Sequence, residues 1–194
     1  MAVAMKPQQF FTIEEYFVLE EQADHRSEYY GGEVFAMAGG TANHNRIARN
    51  SVIALGSALA GKPCEVFVSD MRVWVKRVKL YTYPDVMVIC GGIDFAPKRK
   101  DTVTNPVVLF EVLSPSTEGY DRGKKFEFYR TLPSFKEYVL VDQERVHIEH
   151  YRLLDNRQWV LTVLDDAAER LALDSIGVEL SLAAIYEQVV WESE

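Results

Sequence analysis

The stretch that most constrains this chain is residues 105–117, NPVVLFEVLSPST. Its run of β-branched and aromatic side chains reads as a buried strand that Pro115 stops. One carboxylate, Glu111, stands inside it. A second strand-like run, YPDVMVIC, carries Asp85 at its head. Side chains alternate along a strand, so Asp85 shares a face with Met87 and Ile89, and Glu111 with Val107, Leu109 and Leu113. A buried carboxylate without a partner is costly, and two on neighbouring strands repel unless a cation lies between them. Ordinary pairing with Arg or Lys, or a strand end in water, explains one such residue. A shared divalent metal explains the pair more economically, and Mg²⁺ or Mn²⁺ takes carboxylates together with waters and phosphate oxygens.

A third group is expected on the following helix, TEGYDRGKKFEFYRTL, which stops before Pro133. At 100° per residue, Phe126, Phe128, Tyr129 and Leu132 define its apolar face. Lys125 falls near the middle of that face, Lys124 toward its edge, and Asp121 lies one turn before Lys125 on the same side. A lysine in that place either snorkels to water, pairs with Asp121 along the helix, or points across to the carboxylates. In the last case it would orient or activate a water, or offset charge developing on a phosphate.

The remaining elements frame this pair of strands. FTIEEYFVLEEQA opens with a capping box, Thr12 and Glu15. HRSEYYGGEVFAMAGG pivots on Gly31-Gly32 as a hairpin, and residues 43–59 form an amphipathic helix that Gly61 closes. CEVFVSDMRVWVK reads as strand, as do EYVLVD, RVHIEHYRL and QWVLTVL, the last two joined at Asp155-Asn156. LSLAAIYEQVV reads as a short helix. The class is α/β with a mixed sheet flanked by helices, an N-terminal helix and hairpin, and C-terminal antiparallel strands. Residues 1–194 are expected to form one domain.

No apolar run approaches the ~20 residues of a membrane span. MAVAMKPQQF lacks the pattern of an export signal. Cys64 and Cys90 have no metal or redox spacing, so free thiols and a cytoplasmic location are expected. The net charge of −8 argues against a general nucleic-acid binder. The charge is uneven, however. Residues 62–130 carry twelve Lys/Arg and nine Asp/Glu, a balance of +3, whereas residues 131–194 sum to −8. The middle of the chain is therefore the part best suited to an anionic ligand.

These stretches, above all SEYYGGEVFAMAGGTANHNRIA, YPDVMVIC and residues 106–142, resemble the Uma2-like endonuclease family across nearly the whole chain. That family is similar to the restriction-endonuclease-like PD-(D/E)xK superfamily, whose core is helix, three strands, helix, strand. The resemblance makes Pro84-Asp85 the PD and Glu111 the acid of the second half-motif. The lysine expected two residues after Glu111 is replaced by Leu113, and the resemblance moves that lysine to Lys125. It also adds Glu28 as a ligand or supporting group, together with Asp70 and His44. Asp70 reads equally well as a strand-end partner of Arg72, and His44 as a helix-start histidine. The backbone carbonyl of Val112 is a further candidate metal ligand.

The function so implied is an Mg²⁺-dependent endonuclease, with Mn²⁺ able to substitute, that hydrolyses DNA phosphodiester bonds. Asp85 and Glu111 would hold the metal and Lys125 would position the attacking water. Cutting both strands would call for a homodimer. Two other classes fit the same residues: a non-catalytic nuclease-fold binding module, and a metal-dependent hydrolase of a small phosphorylated molecule.

Overall fold

A computed structural model of the protein describes residues 9–191. The first eight residues, on which the expectation about an export signal mainly rests, lie outside that range. No helix among the described residues is long and apolar enough to cross a membrane.

The chain begins with α1 (Ile13–Gln22), closed at its start by the Thr12–Glu15 capping box. Strands β1 (Ser27–Tyr30) and β2 (Glu33–Ala36) form the expected hairpin. Gly31 and Gly32 both take positive φ, 59° and 107°, as a two-residue hairpin turn requires. Next comes α2 (Ala42–Ala58), whose cap Thr41 accepts from the His44 amide.

A six-stranded sheet follows, in the order β11-β10-β9-β8-β6-β3. It comprises β3 (Cys64–Val68), β6 (Val86–Cys90), β8 (Val108–Leu113), β9 (Glu137–Asp142), β10 (Ile148–Leu153) and β11 (Trp159–Leu164). Only β8 and β9 run parallel within it, and the crossover between them holds the helix of residues 118–129. A second sheet, β2-β1-β5-β4-β7, includes β4 (Arg72–Val75), β5 (Leu80–Thr82) and β7 (Thr102–Val103). A small hairpin, β12 (Arg170–Leu173) with β13 (Val178–Ser181), and a short helix Leu182–Ile185 end the described chain.

Alternation along the strands sorts the core into two layers. Val86, Val88, Val108, Phe110, Val112, Val139 and Val141 face α2 and the C-terminal hairpin. Met87, Ile89, Leu109, Leu113, Tyr138 and Leu140 face the helix of residues 118–129 and the smaller sheet. Glu111 lies between Leu109 and Leu113, so it faces the second layer, under the helix that carries Lys125.

Four details depart from expectation. CEVFVSDMRVWVK is not one strand: residues 69–71 turn, and β3 and β4 enter different sheets. The helix of residues 118–129 is composite. It is α-helical over Glu118–Tyr120, π-helical over Asp121–Lys125 and α-helical again over Phe126–Tyr129. The β12–β13 hairpin was not apparent in the sequence pattern. Finally, Cys64 and Cys90 are not free thiols but form a disulfide. The β3–β6 register sets them directly opposite each other with Cα atoms 4.0 Å apart, a pairing that a sequence separation of 26 does not reveal. The cytoplasmic reading loses the support it drew from free thiols.

Candidate active site

Lys125 is buried, 6 % exposed, on the face that the helical periodicity indicates. It does not snorkel. Its Nζ lies 3.0 Å from Glu111 Oε1, 3.5 Å from Asp121 Oδ1 and 3.6 Å from Glu28 Oε1. A lone buried ammonium would cost several kcal/mol, and three carboxylates from three elements offset that. The π turn supplies both Asp121 and Lys125, and irregular turns of this kind recur at functional sites. Tyr129 donates to Glu111 Oε1 at 2.8 Å, and Thr82 donates to Glu28 Oε1. Tyr138 fixes the π turn by donating to the Asp121 carbonyl at 3.2 Å.

Asp85 stands just before β6, opposite Glu111 by continuation of the Val86↔Phe110 register. Its Oδ2 accepts from the Val112 amide at 2.8 Å, so the side chain extends the ladder past Pro84. The same oxygen lies 3.2 Å from His44 Nε2. His44 reaches it because Gly40 leaves room: a Cβ there would sit 2.7 Å from His44 Nδ1. Side-chain exposure falls from 20 % at His44 through 15 % at Glu28 and 14 % at Asp85 to 5 % at Glu111. His44, Glu28 and Asp85 therefore form the mouth of the site, and Glu111, Asp121 and Lys125 its floor.

The electrostatics follow from this crowding. Burial drives the Glu111 carboxyl well above its usual range; Lys125 opposes that, and the charges of Asp121 and Asp85 add to it. Burial likewise raises Asp121, against the pull of Lys125. Burial pulls Lys125 down, but Glu111, Glu28 and Asp121 outweigh it and hold the amine well above its ordinary value. Lys125 is thus an ammonium that donates hydrogen bonds and offsets negative charge, rather than a base that takes a proton from water. Burial also lowers His44, while the hydrogen bond and charge of Asp85 overcome it and leave the imidazole raised.

The site brings together Glu28, His44, Asp85, Glu111, Asp121 and Lys125. It does not include Asp70, whose side chain is 80 % exposed and pairs with Arg26 at 3.5 Å. Arg72, the partner expected for Asp70, is buried instead against Tyr83 and Asp101. Sequence reasoning missed Tyr129 and Thr82, and it missed Gln143. The Gln143 side chain donates to the Leu113 carbonyl at 2.7 Å and accepts from Thr41, joining β8 to the start of α2. Nothing local marks Gln143, because these partners lie 30 and 102 residues away.

Four carboxylates face one ammonium and one histidine, a negative excess that suits a divalent cation. Asp85 Oδ1 and Glu111 Oε2 make no hydrogen bond to the described residues. No group of three or more His, Cys, Asp or Glu side chains among the described residues is placed to hold a metal. The two carboxylates with a free oxygen, Asp85 and Glu111, are the kind of donor that a hard cation takes together with backbone, water and phosphate oxygens.

Comparison with known proteins agrees with this architecture. The model of the Uma2 family, described as "Putative restriction endonuclease", matches residues 13–184. Two proteins of Synechocystis sp. (strain ATCC 27184 / PCC 6803 / Kazusa) are similar, each described as uncharacterized. The first, sll1609, is 45 % identical over 153 residues, covering 79 % of this chain and 86 % of its own. The second, slr1290, is 38 % identical over 175 residues, covering 89 % and 90 %. Among solved structures, a chain from Anabaena variabilis ATCC 29413, titled a "putative nuclease belonging to DUF820", superposes with a TM-score of 0.75 at 18 % identity. The match covers 93 % of this chain and 99 % of that one, and at this identity it establishes the shared fold.

Proposed function

The chain belongs to the Uma2 family, and on that premise we propose that it is a metal-dependent endonuclease acting on DNA phosphodiester bonds. The observation that carries this reading is the buried Lys125 ammonium held 3.0 Å from Glu111 in a cluster with more negative than positive charge. Asp85 and Glu111 would hold Mg²⁺ or Mn²⁺, with the Val112 carbonyl as a backbone ligand. Such an ion lowers the pKa of bound water and offsets charge on the phosphoryl oxygens. The protein's own groups do the positioning. Tyr129 and Lys125 fix the Glu111 carboxylate, while the Val112 amide and His44 fix Asp85. Lys125 orients the attacking water and offsets charge that grows on the phosphate, a role of the kind whose loss slows catalysis about 10²- to 10³-fold.

Two-strand cleavage needs two such sites, so a homodimer belongs to the same reading. A second reading is a metal-dependent hydrolase of a small phosphorylated molecule, favoured by the depth of Glu111 and Lys125. Calorimetry with Mn²⁺ tests the metal site. The parent is expected to bind with a stoichiometry near one, and Asp85→Asn and Glu111→Gln each to weaken binding at least tenfold. Equal binding by all three proteins would refute the assignment. Release of phosphate from a small phosphomonoester, with duplex DNA left intact, would select the second reading.

A further inference from the structure

Away from the carboxylates, the ends of three elements meet around a groove of about 950 Å³. Arg130 comes from the end of the composite helix, Lys136 from the start of β9, Arg152 from β10 and Arg157 from the β10–β11 turn. Phe135 and Trp159, with ring centroids 5.3 Å apart, give it an apolar floor. Arg152 pairs with Asp174, and Asp155 is the other acid in the lining. Arg130, Lys136 and Arg157 make no ion pair among the described residues. Four cations thus face two acids, in a chain whose net charge is −8. Arg157 also sits in the left-handed region, φ 65°, in a tight hairpin where glycine or asparagine would suit the turn better. The turn itself does not ask for an arginine.

We propose that this groove binds the phosphate backbone of nucleic acid at a point remote from the carboxylates. The inference rests on the nuclease reading and names where the substrate's phosphates are held. The β8–β9 register places Glu137 opposite Val108, whereas Leu140 lies opposite Glu111, so the groove and the mouth of the site lie toward opposite ends of the central sheet. The three residues of strand between these two levels span about 10 Å, the rise of roughly three base pairs. The groove is many times the size of one phosphate, and its cations come from separate segments, as suits an extended polyanion better than a single small one.

The test uses the full chain in EDTA, so that binding is read without hydrolysis, and a fluorescent 20-base-pair duplex titrated at two salt concentrations. Lys136→Glu/Arg157→Glu is compared with Lys98→Glu/Lys100→Glu, which makes the same charge change at exposed residues outside the groove. All four residues are exposed, and thermal melts confirm that both variants fold. The groove variant is expected to bind at least tenfold more weakly with a shallower salt dependence, and the control within about threefold of the parent. Equal losses in both variants would overturn the proposal. So would tripolyphosphate binding as tightly as the duplex and depending on the same residues. Plasmid cleavage in Mg²⁺ is scored separately. A parent that cuts DNA while the groove variant binds normally removes the groove and leaves the nuclease reading standing. A parent that neither binds nor cuts removes both.

Discussion

Lys125 shows how one residue organises its surroundings. Its ammonium offsets carboxylates contributed by β1, β8 and its own helix, two of which, Glu111 and Asp121, are buried. Lys125→Met leaves Glu111 and Asp121 buried without their counter-charge and should cost about 3–5 kcal/mol in urea unfolding. Lys125→Met/Glu111→Gln should recover part of that loss, because the two residues share one network. A single-mutant cost below about 1 kcal/mol would mean that the ammonium does not compensate them. Elsewhere, the hydrogen bond from Arg99 holds the Asp101 carboxyl down to about 2. A lowered value contributes stability above the unfolded pKa near 3.8, and that contribution is lost as pH falls toward 2. Asp101→Asn should therefore flatten the loss of stability over that window at low salt. An unchanged acid unfolding curve would contradict it. The lysine's burial was legible from helical spacing alone. Its partner on β1 was not, since Glu28 reaches it only through the packing of the second sheet.

At the scale of elements, what was legible is what is periodic. Alternation along two strands put Asp85 and Glu111 on one face, and β6 and β8 prove to be antiparallel neighbours. Position on the helix put Lys125 toward them, even though the turn that carries it is π-helical. Register between distant strands has no local signal. That is why the Cys64–Cys90 pairing, the break between β3 and β4 and the position of Asp70 all went against expectation. Gln143 is the same case. It ties the end of β9 to the Leu113 carbonyl and to the cap of the helix that carries His44. Gln143→Ala strips a buried carbonyl of its donor and should cost about 1–3 kcal/mol in urea unfolding. The same change should weaken Mn²⁺ binding less than Glu111→Gln does, because it touches no proposed ligand. A loss of metal binding as large as that of Glu111→Gln would contradict this ordering.

Across the whole molecule, charge is where a reading by sequence windows and the folded arrangement part. Counting along the chain assigned the positive balance to residues 62–130. Folding draws Lys136, Arg152 and Arg157 out of the acidic final third and gathers them with Arg130 around one groove. The proposed catalytic carboxylates and Lys125 lie toward the other end of the sheet, and cleavage of supercoiled plasmid DNA in Mg²⁺ tests them most directly. The parent should nick or linearise the plasmid and EDTA should abolish cutting. Asp85→Asn, Glu111→Gln and Lys125→Arg should each cut at least about 100-fold more slowly while remaining folded. The account is contradicted if any of the three cuts at the parental rate, if the parent cuts equally well in EDTA, or if a folded parent that binds Mn²⁺ leaves the DNA intact.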